Sequence, residues 1–368
     1  MKIVIAMDSF KGSLTSLEAG NAVRDGILAA CPDAEITVLP LADGGEGTID
    51  AIAPYVNGTV KSLTVCGPLG NKIDSYYILD RTSKTACIEM AKASGLTLIN
   101  ESERDPYLTT SYGTGELMLD AINNGAKRLV ICIGGSATND GGVGMLQALG
   151  GHFLDASGNE ICRGAIGLKS LHSVDLSALR GRDIDIVVAS DVTNSLCGPD
   201  GCSHVYGPQK GATYETACEM DKWLKHFAET CGFDPYEPGT GAAGGMSFAL
   251  KNFLGASIRS GADIVTEITG AETLIKECDM VITGEGRMDS QTVNGKAPFK
   301  IMQLGRKYGR RVVGITGILG DGYEACLDAG FDRIVPLINP TMDTTKAIES
   351  VIETTRTLFE NYPTEDRT

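Results

Sequence analysis

Short apolar runs recur along the chain, and many are followed first by a glycine-rich or acidic turn and then by an amphipathic segment. The first run spans residues 3–7 and the second spans residues 36–42. Between them, Thr15 and Glu18 stand at the spacing of a capping box, and four apolar positions share one face of the helix that follows. This alternation of strand and helix patterns predicts an open parallel sheet.

The pattern changes after the second predicted helix. Residues 60–65 and 74–79 alternate between apolar and polar side chains, with a turn at residues 67–71 between them and a further strand pattern at residues 85–90. Such alternation is typical of antiparallel or mixed strands with one exposed face. We therefore expect a different kind of sheet in the middle of the chain.

The β-α rhythm returns after about residue 262, and 368 residues are enough for two domains. The simplest organisation is an α/β protein in which residues 1–62 and 262–368 form a Rossmann-like parallel-sheet domain. A mixed α/β domain, residues 63–261, is then inserted into it. The alternating strands could instead pair with a neighbouring molecule, so a homo-oligomer is left open.

One glycine-rich stretch, Gly134–Gly142, stands between a buried strand pattern at residues 129–133 and a short helix pattern at 143–149. Glycines let the backbone approach a ligand, and free N–H groups at a helix start attract anions. The alternative is a tight turn whose polar side chains only cap the helix. We favour phosphate or metal–phosphate binding, with oxygen ligands for Mg²⁺ from Ser136, Thr138, Asn139 and Asp140.

A second glycine-rich loop, residues 239–245, also opens a helix pattern. In addition, several acidic residues and one glycine come directly after apolar strand runs. Ligands of parallel sheets bind beyond the carboxyl ends of the strands. We therefore expect one active-site cleft between the two domains. The strand-end residues are Asp8, Asp43, Gly134, Asp191 and Glu285.

Many carboxylates, only 4 histidines and several glycine loops favour Mg²⁺-dependent phosphoryl transfer, which depends on positioning and charge neutralisation. Lys11 is the first candidate cation, and Lys210, Arg287 and Lys296 are second choices, although each would also fit a solvated surface charge. The carboxylates would serve as metal ligands or as the base that accepts the hydroxyl proton, or else as helix caps and salt-bridge partners. The candidate carboxylates are Asp140, Asp191 and Glu285.

Charge and cysteine content narrow the function further. The net charge of −15 argues against nucleic acid and an anionic membrane as partners. The 11 cysteines are scattered without a CxxC pair, which favours reduced thiols in a cytoplasmic protein. The chain opens on a strand pattern rather than a signal peptide, and it has no apolar run long enough to span a bilayer.

The usual nucleotide-binding signatures are absent from the sequence. It contains neither a GxxxxGK[ST] loop nor a GxGxxG turn after the first strand, and it has no kinase His-Arg-Asp segment. The missing dinucleotide fingerprint argues against a dehydrogenase. The residues alone thus indicate a two-domain α/β enzyme that handles phosphate and Mg²⁺, with a two-domain binding protein for a small hydroxy acid as the rival.

Six stretches resemble the motifs of the glycerate kinase type I family, and they occur in order over essentially the whole chain. This agreement is far more specific than a single glycine pattern. The stretches are 8–15 (DSFKGSLT), 42–48 (ADGGEGT), 134–142 (GGSATNDGG), 190–194 (SDVTN), 206–211 (YGPQKG) and 283–291 (TGEGRMDSQ).

The resemblance implies phosphorylation of D-glycerate by ATP, with 2-phosphoglycerate as the product. Transfer to the C3 hydroxyl, or to a related small hydroxy acid, is the alternative. The resemblance also implies a two-domain α/β fold with the active site between the domains. Several strand-end carboxylates are candidates for the general base.

The site residues are our own assignment from chemistry. Asp191 or Asp8 would orient or deprotonate the C2 hydroxyl, and Lys11 or Arg287 would neutralise charge. Asp140 and Asp191 are the expected ligands of Mg²⁺. The expected substrate- and phosphate-binding residues are Ser9, Gly44, Gly45, Glu46, Gly134, Gly135, Ser136, Thr138, Asn139, Gly244, Gly245, Glu285 and Asp289.

Overall fold

A computed structural model describes residues 1–42 and 44–361, and its strands form two main sheets and two short strand pairs. The strands are β1 (Lys2–Met7), β2 (Glu35–Pro40), β3 (Thr59–Cys66), β4 (Lys72–Asp80), β5 (Thr85–Glu89), β6 (Arg128–Cys132), β7 (His152–Leu154), β8 (Ser173–Asp175), β9 (Asp185–Ala189), β10 (Ser257–Arg259), β11 (Met280–Gly284), β12 (Arg287–Met288), β13 (Arg311–Thr316), β14 (Ile318–Leu319) and β15 (Arg333–Pro336).

The helices join these strands. The α-helices are α1 (Ser16–Ala30), α2 (Thr48–Ile52), α3 (Ala91–Ser94), α4 (Tyr112–Asn123), α5 (Val143–Ala148), α6 (Cys202–Tyr206), α7 (Tyr214–Thr230), α8 (Ala242–Leu254), α9 (Gly261–Thr269), α10 (Ala271–Glu277), α11 (Ala297–Lys307), α12 (Glu324–Ala329) and α13 (Thr344–Glu360). Short 3₁₀ helices lie at Ala53–Tyr55, Leu96–Leu98, Glu101–Glu103, Ala165–Ser170, Pro208–Lys210 and Thr292–Asn294. Every helix in these described ranges is too short or too polar to cross a lipid bilayer.

The chain divides into two units. Among the described residues, unit 1 comprises 1–42 and 262–361, and unit 2 comprises 44–261. The sequence placed the first boundary after residue 62, whereas residues 44–62 group with unit 2. The reason is local, because β3 pairs along its length with β4 and the amides that begin α2 bond to a carboxylate of unit 2.

Unit 1 contains the parallel sheet expected from both ends of the chain. Its strand order is β15-β13-β11-β1-β2, with all neighbours parallel. Counted within the unit, this is the order 2-1-3-4-5, and the chain reverses direction across the sheet between β1 and β11. The core of unit 1 lies between this sheet and its helices, including the packed pair α1 and α13.

The expected capping box begins α1 and also steadies the loop after β1. The Thr15 side chain accepts a hydrogen bond from the Glu18 amide, and the Glu18 carboxylate accepts one from the Thr15 amide. The buried Ser16 hydroxyl donates to the carbonyl of Met7 at 2.7 Å and accepts from the amide of Leu41 at 2.8 Å. One side chain thus ties together the segments that follow β1 and β2.

Unit 2 contains a mixed sheet, as the alternating pattern predicts. Its order is β10-β9-β6-β5-β4-β3, in which β5, β6, β9 and β10 are parallel and β3 and β4 are antiparallel. The antiparallel pair of β7 and β8 and the edge strand β10 were not predicted. An aromatic cluster fills part of the core, formed by Phe153, Phe227, Phe233, Phe248 and Phe253.

Candidate active site

The carboxyl ends of β5, β6 and β9 lie side by side in unit 2. Glu89, Cys132 and Ala189 form one paired row across these strands. Gly134 and Asp191 each follow two residues beyond that row, on neighbouring strands that are separated by about 4.8 Å. The structure therefore brings the central glycine stretch and Asp191 to one edge of one sheet.

The 44–47 loop packs against the start of the glycine stretch. The Gly134 amide donates to the carbonyl of Gly44 at 3.1 Å, and a Cβ on Gly134 would stand 2.5 Å from the Cα of Gly45. The exposed Glu46 accepts a hydrogen bond from the Thr97 hydroxyl at 3.0 Å. Close backbone packing thus accounts for the glycine at position 134, and Asp43, the predicted strand-end carboxylate, lies outside the described residues.

Asp140 is buried and holds the loop to its surroundings. One carboxylate oxygen accepts hydrogen bonds from the amide and hydroxyl of Ser111, both at 2.8 Å, and from the Gly144 amide at 3.3 Å. The other accepts from the Gly142 amide at 3.1 Å. Burial raises the pKa of this carboxyl, and the four hydrogen bonds oppose that rise. Both oxygens are thus engaged by the protein itself.

Lys210 contacts the same stretch. Its side chain is 2% exposed, and its Nζ donates to the Ser136 hydroxyl oxygen at 3.0 Å and to the Thr138 carbonyl at 2.7 Å. Asn139, which is fully buried, donates through Nδ2 to the Ser203 hydroxyl at 2.8 Å. The segment between Ser136 and Asn139 is therefore fixed by side chains from the region of the YGPQKG motif.

The second glycine loop lies directly on the first. The Gly141 amide donates to the carbonyl of Gly244 at 2.9 Å, and a Cβ on Gly244 would stand 2.0 Å from the Thr138 carbonyl oxygen. Ala243, Gly244 and Gly245 have successive φ angles of 54°, 65° and 90°. A left-handed backbone is unfavourable for alanine, so Ala243 is held there by its surroundings.

Unit 1 presents its own group of polar side chains at the order reversal of its sheet. Met7 pairs with Gly284, so Asp8 and Glu285 follow the ends of neighbouring strands. A Cβ on Gly286 would stand 3.3 Å from the Cα of Phe10, which shows how closely the two loops approach. In sheets of this order, ligands bind in the crevice where the order reverses.

Lys296 draws two of these carboxylates together. Its Nζ lies 3.1 Å from a Glu285 oxygen and 3.8 Å from an Asp289 oxygen. Glu285 also accepts from the Thr292 hydroxyl at 2.8 Å, and Asp289 accepts from Arg287 Nε at 3.3 Å. This group, Glu285, Arg287, Asp289 and Lys296, is called the β11 cluster below. Beside β1, Asp8 and Ser9 are half-buried and Lys11 is exposed.

Comparisons with known proteins bear directly on this arrangement. A family model described as the glycerate kinase family matches residues 3–362. Glycerate 2-kinase from Escherichia coli K12 is 46% identical over 345 residues, covering 92% of this chain and 91% of the relative. The chain belongs to the glycerate kinase family. It is therefore a kinase, and the resemblance seen in its motifs is confirmed.

Two further members of the glycerate kinase family show the same agreement over nearly the full length. Glycerate kinase from Bacillus subtilis 168 is 44% identical over 361 residues, covering 96% of this chain and 94% of the relative. A crystal structure of a provisionally named glycerate kinase 2 from Salmonella typhimurium LT2 is 43% identical. It superposes with a TM-score of 0.86 and covers 98% of this chain and 96% of that one.

The site of this glycerate kinase family member also contains two buried charged residues. The sequence did not predict the first, Glu89, and predicted the second, Lys210, only as a second choice. Glu89 is fully buried, and its two oxygens accept hydrogen bonds from the amides of Gly47 and Ile49 at 2.9 and 3.1 Å. Burial raises the pKa of its carboxyl. Its position at the end of an apolar strand run was the available signal. Lys210 was only a second-choice cation, since a lysine is rarely buried without a partner.

The two expected Mg²⁺ ligands differ in their fit to a metal. Within residues 1–42 and 44–361, no group of three or more His, Cys, Asp and Glu side chains could hold an ion. Mg²⁺ in kinases often needs only one or two carboxylates beside phosphate oxygens. The exposed Asp191, whose Oδ2 lies 3.3 Å from the Gly261 amide, fits that need. Asp140, with both oxygens bonded to the protein, fits it poorly.

Proposed function

We propose that the protein transfers the γ-phosphoryl group of ATP to the C2 hydroxyl of D-glycerate, giving 2-phosphoglycerate and ADP. The observation that carries the proposal is the glycine stretch of unit 2, which is fixed at the carboxyl ends of parallel strands in a member of the glycerate kinase family. The E. coli relative named glycerate 2-kinase supports the C2 position.

The ATP phosphates are assigned to the stretch Gly134–Asn139 and to the 239–245 loop beside it. The Ser136 hydroxyl supplies a hydrogen-bond donor for anionic oxygens, whereas the amides of Gly141, Gly142 and Gly144 already bond to the protein. The close packing of the two loops supports this assignment, because a fixed set of donors does not have to reorganise during phosphoryl transfer.

Mg²⁺ is assigned to Asp191, with the remaining ligands from phosphate and water. When bound, the ion neutralises charge on the phosphate oxygens. Asp140 does not belong to the proposed Mg²⁺ ligands, and its role is structural. Its four hydrogen bonds hold the turn that leads into α5.

D-Glycerate is assigned to the residues that follow β1 and β11 in unit 1. Lys11 or Arg287 would hold its carboxylate, and the β11 cluster would complete the polar surroundings. Asp8 or Asp191 would accept the proton from the C2 hydroxyl as its oxygen bonds to phosphorus and the bond to ADP breaks. We propose that both sets of residues serve this one reaction, and that it takes place in the cytoplasm.

The test measures ADP release from ATP and Mg²⁺ with D-glycerate, L-glycerate, glycolate and tartronate in parallel. Phosphorus NMR of the product then identifies the esterified carbon. We expect release with D-glycerate and a signal from a C2 ester. A C3 ester would keep the kinase and overturn the C2 assignment, and a preference for another acid would replace the substrate.

If no acceptor leads to ADP release, the proposed kinase reaction is wrong for these substrates. A two-domain protein that binds a hydroxy acid without turnover is the remaining candidate in that case. Calorimetric titration with D-glycerate in the absence of nucleotide would then show binding without product.

A further inference from the structure

Lys210 is a buried cation whose two hydrogen-bond acceptors carry no charge. Its side chain is 2% exposed, and no carboxylate in the described ranges lies within 4.0 Å of its Nζ. Moving an ammonium out of water is expensive unless hydrogen bonds or a charge compensate for it. Its two acceptors, the Ser136 hydroxyl and the Thr138 carbonyl, are both neutral. The chain therefore accepts a cost at this position that a neutral side chain would avoid.

The contact between Lys210 and Ser136 indicates a role for the buried ammonium group. Because the ammonium can only donate, Ser136 Oγ is the acceptor in this contact, and its own proton is left to donate elsewhere. Ser136 is 7% exposed, within the stretch assigned to phosphate. The ammonium thus polarises a hydroxyl donor and fixes the backbone two residues further on.

The net charge of the whole protein is a second reason to expect a buried cation beside the phosphate-binding stretch. At a net charge of −15, the overall field opposes the approach of ATP, so anion binding depends on local positive charge. A buried charge acts through a lower dielectric than an exposed one and is less screened by salt. Lys210 meets that requirement directly behind the glycine stretch.

We propose that Lys210 is a positioning residue, whose buried ammonium fixes the stretch from Ser136 to Thr138 and supplies the positive charge with which this stretch holds nucleotide phosphates. The inference rests on the proposed function, because it assumes that phosphates bind at Gly134–Asn139. Lys210 acts through Ser136 and the backbone.

The proposal has a pH signature. Burial lowers the pKa of Lys210 to about 8, while the nearby Cys202 thiol and Asp140 carboxylate act in the opposite direction. The ammonium is therefore lost as the pH rises through about 8, and affinity for an anion should fall with it. ADP phosphates are already ionised in this range, so the ligand itself adds little slope.

The experiment compares wild type with Lys210→Met and Lys210→Arg by calorimetric titration of ADP between pH 7.5 and 9.5. For wild type, we expect the Kd to rise towards tenfold per pH unit above pH 8, which is the limit for loss of one proton. Lys210→Met should bind at least tenfold more weakly at pH 7.5 and show a flat profile. Lys210→Arg keeps its charge and should retain affinity at pH 9.5.

The matched control is Lys222→Met, an exposed lysine on α7 that should behave as wild type throughout. In turnover assays, Lys210→Met should raise the KM for ATP and leave the KM for glycerate unchanged. A Lys210→Met protein that binds ADP within twofold of wild type, or shows the same pH slope, overturns the inference.

Two further outcomes separate a failure of the proposed function from a failure of the role proposed for Lys210. If wild type binds no ADP and releases none from ATP, the proposed function fails rather than the role of Lys210. If circular dichroism shows that Lys210→Met does not fold, the wild-type and Lys210→Arg profiles decide alone. A flat wild-type profile, or a Lys210→Arg profile with the same slope as wild type, then refutes the inference.

Discussion

Asp140 illustrates how a polar residue in a glycine stretch can look like a metal ligand in sequence and serve the backbone in the structure. Its two oxygens accept from three amides and one hydroxyl, all within the protein. Hydrogen bonds to a charged group contribute about 1.5–3 kcal/mol each, and an unsatisfied buried donor is costly. Asp140 therefore contributes to stability more than to metal binding.

We expect Asp140→Asn to lower the Tm by several degrees while leaving the Mg²⁺ concentration for half-maximal activity unchanged. The reason is that the new amide NH₂ group would face N–H donors that need an acceptor. Thermal unfolding and a Mg²⁺ titration of turnover check both parts. An unchanged Tm together with a higher Mg²⁺ requirement would restore Asp140 as a metal ligand.

Asp191 carries the opposite expectation. Asp191→Asn should reduce kcat by about 10²–10⁴-fold, the usual range for loss of a general base, with the Tm close to wild type. Its carboxylate is exposed at the sheet edge, so its removal leaves the core unchanged. Asp200→Asn, an exposed residue in the following turn, is the control and should stay fully active. An active Asp191→Asn enzyme would exclude both proposed roles.

The same contrast explains what the sequence could and could not show about single residues. The motif of residues 206–211 contains Lys210, but a lysine between proline-, glutamine- and glycine-rich turns has the composition of a surface loop. Only the fold places its ammonium against Ser136 and Thr138. The engagement of both Asp140 oxygens likewise depends on Ser111, which lies 29 positions away in the sequence.

At the scale of elements, the contact between the two glycine loops gives a sharp steric test. Gly244 and Gly255 have similar φ angles, +65° and +69°, but different surroundings. A Cβ on Gly244 would stand 2.0 Å from the Thr138 carbonyl oxygen, whereas a Cβ on Gly255 would have nothing within 4 Å. The pair thus separates the strain of a left-handed backbone from the clash between loops.

We expect Gly255→Ala to cost about 1–2 kcal/mol, the penalty for alanine in a left-handed conformation. Gly244→Ala should lower the Tm well beyond this and reduce ADP binding, since the two loops must separate. Thermal unfolding and calorimetric ADP titration measure the difference. Equal losses in the two variants would show that the loops do not depend on close contact.

Most strands and helices could be predicted from the sequence, and the strands that were not predicted have a physical reason. Apolar β-branched runs predicted β1 and β6 to within about one residue, because these strands are buried on both faces. The strands β7, β8 and β10 are only three residues long, too short for a period to be visible. The first domain boundary was misplaced because the pairing partner of β3 follows it in the sequence.

At the scale of the whole molecule, the cysteines report on the packing of both units. All 11 are free, and Cys162 is the exposed one. Burial raises the pKa of several others, to about 11 for Cys231 and about 12 for Cys87 and Cys202. These thiols are therefore both shielded and weakly ionised at neutral pH.

We expect Ellman's reagent to modify one thiol rapidly in the native protein and all 11 after denaturation. Cys162→Ser should abolish the rapid phase, which identifies the reactive thiol. Rapid modification of many thiols in the native protein would contradict the packing described for the two cores. Fewer than 11 thiols after denaturation without reductant would contradict the reduced state.

The sheet of unit 1 also sets the order of events on the ribosome. The amide of Lys2, which begins β1, bonds to Asp279, 277 positions later, and β11 follows directly. At about 5–20 residues per second, β1 waits for roughly 14–55 seconds before β11, its second neighbour in the sheet, is synthesised. All of unit 2 emerges during that interval. Nascent β1 can pair with β2 at once, but its other edge stays unpaired until β11 is available, so unit 1 cannot close its sheet before unit 2 has been made.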